Sequence, residues 1–77
     1  MYTDEMKRAF RSLTPPKDFK VTVVDHEHFL TVKATEKDFF SLDTDGRIMA
    51  AEYMIRVKNA LEMNGAIVLL VREGGKE

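Results

Sequence analysis

The chain has 77 residues, 12 of them basic and 13 acidic, a formal net charge of -1, and no cysteine. That length holds one domain, the absence of cysteine excludes disulfides and thiolate zinc sites, and the even charge balance lacks the basic footprint of a dedicated nucleic-acid binder. With 44% hydrophobic and 32% charged residues the chain reads as globular.

Chain order begins with a helix between Thr3 and Leu13. Thr3 is a natural N-cap, Asp4 and Glu5 suit the positive end of the helix dipole, and Met6, Ala9, Phe10 and Leu13 form one apolar stripe. Thr14-Pro15-Pro16 ends it, because a proline disfavours helical geometry at the residue before it. Phe19-Lys20-Val21-Thr22-Val23-Val24 then alternates as a strand does, and Phe29-Leu30-Thr31-Val32-Lys33 reads as the returning arm of a hairpin. Phe19, Val21, Val23, Leu30, Val32 and Ala34 are expected on the core face. Lys20, Thr22, Val24, Phe29, Thr31 and Lys33 are expected on the other.

Phe39-Phe40-Ser41-Leu42 is a candidate short third strand. Asp43-Thr44-Asp45-Gly46 is a turn and cap, followed by a helix from about Arg47 to Met63 that stops at Asn64-Gly65. Its core stripe is Ala50, Met54, Val57 and Leu61, widened by Tyr53 and Ala60. Ile48, Ala51 and Ile55 fall on another side as a second apolar strip. Ala66-Ile67-Val68-Leu69-Leu70-Val71 reads as a last strand. Being apolar throughout, it is expected in the middle of the sheet. Met1-Tyr2 and Gly74-Glu77 are expected to be loose termini of a single domain spanning 1–77.

The order α-β-β-(β)-α-β predicts an α+β fold. It has two layers, a three- or four-stranded mixed sheet and both helices on one face. An α-β-β-β-α order is similar to a double-stranded-RNA-binding domain, but that family opens its last helix with lysines, and here Arg47 is followed by Ile48-Met49-Ala50-Ala51. Gly74-Gly75 after a strand resembles a ubiquitin-like tail, although a β-grasp needs more strands after its helix.

Little in the sequence points to catalysis. Ser12 and Ser41 lie in no nucleophile elbow, and no carboxylate pair sits where burial would raise its pKa. No enzyme activity and no cofactor are expected. His26 and His28 are weak candidate metal ligands two positions apart, lacking a third. The calcium-loop pattern that Asp43-Thr44-Asp45-Gly46 suggests fails at Arg47 and Met54. No apolar run is long enough to cross a membrane, and Met1-Tyr2-Thr3-Asp4-Glu5 has no signal-peptide character, so a cytoplasmic protein is expected.

The uncovered sheet face and the second helix strip carry the leading expectation. It is a non-catalytic interaction module, homodimeric or docked on a larger protein, using Val24, Phe29, Ile48 and Ile55. The alternative is a nucleic-acid-binding accessory protein, with Arg8, Arg11, Lys20 and Lys33 on phosphates and Phe29 as a stacking platform.

Overall fold

The computed structural model describes residues 1–73. It is an α+β fold with the order α1 (Asp4–Arg11), β1 (Thr22–Asp25), β2 (Leu30–Thr35), α2 (Glu36–Phe40), α3 (Thr44–Met63) and β3 (Val68–Glu73). The three strands form one mixed sheet in the order β1-β2-β3. β1 and β2 are an antiparallel hairpin, and β3 runs parallel to β2. The Cα trace measures 33 × 28 × 13 Å; its thin dimension holds one layer of sheet and one of helix.

Local chemistry sets each boundary. The Thr3 hydroxyl accepts from the Met6 amide at the start of α1, as expected of an N-cap. Asp43 does the same for α3, taking a 2.7 Å bond from the Gly46 amide, so that helix starts at Thr44 rather than Arg47. At its other end Gly65 takes φ +96°, and the Gly65 and Ala66 amides close back onto the Glu62 and Leu61 carbonyls. This paired closure needs a left-handed residue, which glycine supplies at least cost.

The core lies between β2 and the inner side of α3. Leu30, Val32 and Ala34 are buried from the sheet, against Ala50, Tyr53, Met54, Val57 and Leu61 of α3. Met6 reaches in from α1, and Phe19 meets Tyr53 edge-on, ring centroids 6.5 Å apart. Face by face this agrees with the alternation read from the hairpin.

The first strand starts later than expected, at Thr22, and residues 19–21 precede it, the Phe19 amide bonding the Pro16 carbonyl. Two further strand assignments change. Phe39–Leu42 contributes no strand; Glu36–Phe40 is a short helix instead. The Thr35 hydroxyl accepts from the Asp38 amide, the Ser41 hydroxyl donates to the Asp38 carbonyl, and the Arg47 guanidinium donates to the Phe40 carbonyl while lying 5.1 Å from the Phe40 ring centre. These local bonds outweigh the modest strand propensity of two phenylalanines.

The second change concerns β3, which is an edge strand with β2 central. A tight hairpin leaves no room between its arms, so the third strand of a three-stranded sheet must take an outer position. At the N-terminus the Met1 amine bonds the Asp25 carboxylate and the Glu27 carbonyl, and Tyr2 packs against the core, so neither residue is loose. The tail expected at 74–77 lies outside the described residues.

Candidate interaction surface

β3 exposes large apolar side chains on both of its faces. In register with β2, Val68 and Leu70 stand beside Leu30 and Val32 on the helix side, whereas Leu69 stands beside Thr31 on the uncovered side. Val68 is buried, but Leu69 and Leu70 are 53% and 40% exposed. The Leu30 amide donates to the Ile67 carbonyl at 2.8 Å, which fixes the hydrogen-bonding phase of the ladder. Ile67, Leu69 and Val71 therefore turn their backbone groups toward β2. Val68, Leu70 and Arg72 turn theirs toward the free edge.

Above this edge lies the second strip of α3. Ile48 and Ile55 are 54% and 50% exposed and Ala51 is exposed between them, so α1 does not cover the strip. Strip and strand share a groove of about 280 Å³ lined by Phe39, Ala51, Met54, Ile55, Leu70 and Val71. It is almost wholly hydrocarbon, which is the chemistry of a surface that gains by being covered.

The other two residues expected in the interaction surface lie elsewhere. Val24 is half-buried on the uncovered sheet face, opposite Thr31. Phe29 is half-buried at the mouth of the hairpin, stacked on His26 with centroids 4.6 Å apart. The fold thus joins Ile55, with Ala51, to β3 and separates them from Val24 and Phe29. Leu70, absent from the expected surface, completes it from the helix side of the sheet, while Leu69, also absent, is exposed on the uncovered face. The signal for them was the strand count, since only a central strand would have hidden a run apolar at every position.

On the uncovered face Thr31 is buried between Val24 and Leu69, and its hydroxyl finds no hydrogen-bond partner among the described residues.

The residues of the nucleic-acid alternative are spread over α1, the segment before β1, and the central strand β2. Lys20 lines one groove with Arg11 and Phe19, and another with Thr22, Val24, Lys33 and Asp38. Arg8 and Arg11 are exposed on α1. Phe29 lies four positions along β2 from Lys33, about 13 Å away at strand rise, so the proposed stacking platform is remote from the cations. Burial pushes the phenols of Tyr2 and Tyr53 up, opposed at Tyr2 by the Arg11 charge and reinforced at Tyr53 by Tyr2.

His26 and His28 sit on the exposed hairpin tip, where Glu27 approaches His28 at 3.7 Å. Among the described residues no group of three metal-ligating side chains comes together there or elsewhere. No described helix is long and apolar enough to cross a membrane. Compared with family models, with curated proteins and with solved structures, the chain matches none.

Proposed function

We propose that this chain is a non-catalytic interaction module that associates with itself through the apolar surface formed by α3 and β3. The observation that carries the reading is the joining of two features in one place. The exposed helix strip, through Ala51 and Ile55, borders a strand whose outer backbone groups are unpaired within the described chain. A flat, apolar, unguarded edge strand is a template for pairing, and proteins that leave one in water usually protect it with charge or proline. β3 holds no proline, and its charges, Arg72 and Glu73, come only after the apolar run of residues 68–71. A small domain also buries a small share of its surface on folding and gains proportionately from association.

The test is the solution mass by light scattering after size exclusion, at several protein concentrations and two salt concentrations. A dimer indifferent to salt is the expected result, because apolar burial is not screened. Ile55→Asp places a charge in the strip and should yield a folded monomer. A wild-type monomer at every concentration would remove the reading.

A further inference from the structure

We propose that two copies of the chain join β3 to β3, antiparallel about a twofold axis midway between their Leu70 residues, into one six-stranded sheet, twice the three strands of each copy. This rests on the self-association reading above and adds its geometry.

Three observations fix the arrangement. First, the backbone phase gives Leu70 an outward N–H and C=O, so a Leu70–Leu70 pair exchanges both bonds across the axis. The backbones of Val68 and the partner's Arg72 then pair on either side. Second, a twofold axis normal to the sheet keeps both helix layers on the same face. α3 lies over β2 and β3, so with strands about 4.8 Å apart the two α3 axes come to about 10 Å. That is an ordinary distance for packed helices.

Third, the groove places Leu70 level with Ala51 and Ile55. The axis, between the two strands at the level of Leu70, therefore sets Ile55 against the partner's Ala51, a large side chain opposite a small one. The strip is complementary to itself in this orientation, which argues for a second copy over an unrelated peptide.

The available area agrees. Ile48, Ile55, Ile67, Leu69 and Leu70 are each between 40% and 66% exposed. At roughly 200 Å² for a fully exposed residue of this size they offer about 500 Å². Ala51 and the strand backbone bring this toward the ~800 Å² per partner of a stable interface.

Because the chain has no cysteine, single cysteines report the register directly. Antiparallel partners in a hydrogen-bonded pair have Cα atoms about 5.5 Å apart, within reach of a disulfide. Leu70→Cys should cross-link to a covalent dimer under mild oxidation. Leu69→Cys and Val71→Cys should each fail to cross-link alone and should cross-link when mixed, since residue 69 faces the partner's 71. In the wild-type protein, exchange of the Leu70 amide hydrogen should slow at least tenfold as protein concentration rises through the dimerisation range. Leu70→Pro removes that amide without touching the bonds to β2 and should give a monomer with wild-type circular dichroism.

A dimer that Ile55→Asp dissociates, but that shows no cross-link at 70 and no concentration-dependent protection of the Leu70 amide, would overturn the strand pairing and leave the apolar association standing. A wild-type monomer throughout would overturn both.

Discussion

β1 and β3 both lie at an edge of the same sheet, yet β1 has charge at both ends and β3 only at its last two residues, Arg72 and Glu73. β1 has four residues, follows the exposed Lys20 and ends at Asp25, whose carboxylate receives the Met1 amine at 2.7 Å. β3 has six residues and carries Leu69 and Leu70 on opposite faces, both well exposed. The hairpin bond from the His26 amide to the Phe29 carbonyl turns the backbone groups of Val23 and Asp25 outward on β1, among charges and beside the N-terminal residues. On β3 the outward groups of Val68 and Leu70 lie among hydrocarbon side chains, and charge comes only with Arg72 and Glu73 at its end. Edge position alone therefore does not make a strand adhesive; length and the company of its backbone groups do.

Proline sharpens this contrast most. The Leu69 amide points into the ladder, so Leu69→Pro should orphan a buried β2 carbonyl and lower stability by about 2–3 kcal/mol in urea unfolding. Leu70→Pro should cost the fold far less. Equal losses from the two variants would show that the backbone phase assigned to β3 is wrong. Next comes charge. Ile55→Asp should weaken self-association about 100-fold or more, near 2.7 kcal/mol, whereas Val24→Asp beside the β1 edge should leave the solution mass unchanged. Sedimentation across a concentration series reads both.

Midway between the edges, Thr31→Val removes a buried hydroxyl that has no partner among the described residues. It should stabilise the chain by about 1 kcal/mol; destabilisation would mean that the hydroxyl is satisfied by something bound to the uncovered face. At the β1 tip, Glu27 adopts φ +78°, a conformation glycine takes more readily. Glu27→Gly should raise the melting temperature slightly, by at most about 1 kcal/mol in stability.

The smallest effect is on pH. The Met1 amine, and then the Glu27 amide, hold the Asp25 carboxyl below its usual range. A depressed folded-state pKa stabilises the fold above the unfolded-state value and loses that contribution as pH falls through the folded one. The acid limb of the stability curve should therefore be shallower in Asp25→Asn, a difference visible in thermal melts taken below the ordinary carboxylate range.

Much of this fold was legible because its periodicities are clean. Leu30, Val32 and Ala34 alternate with Thr31 and Lys33, and Ala50, Met54, Val57 and Leu61 recur at helical spacing, so both buried faces could be assigned from spacing alone. Two elements misled for different reasons. Phe39-Phe40 favours a strand by type, but hydroxyls of Thr35 and Ser41 close a helical turn around it. Val68–Val71 has no polar position to mark an outer side, so local pattern made it central, while chain connectivity left only an edge.

The candidate site divides the same way. Ile48 and Ile55 stood out because they break the polar back of an amphipathic helix. Leu69 and Leu70 did not, because their exposure depends on which strand lies beside them.

The parallel pairing of Leu30 with Val68 spans about half the chain, whereas Asp25 and Leu30 are close neighbours in sequence. Hairpin closure is a microsecond event, but β3 can dock only after the chain between has folded and its closure entropy has been met. The strand proposed to pair between copies thus arrives last. During synthesis or refolding the unfilled side of β2 and the unplaced Leu69 and Leu70 are open together, so crowded refolding should favour exchange of β3 between chains, and dilution should favour its return to its own sheet.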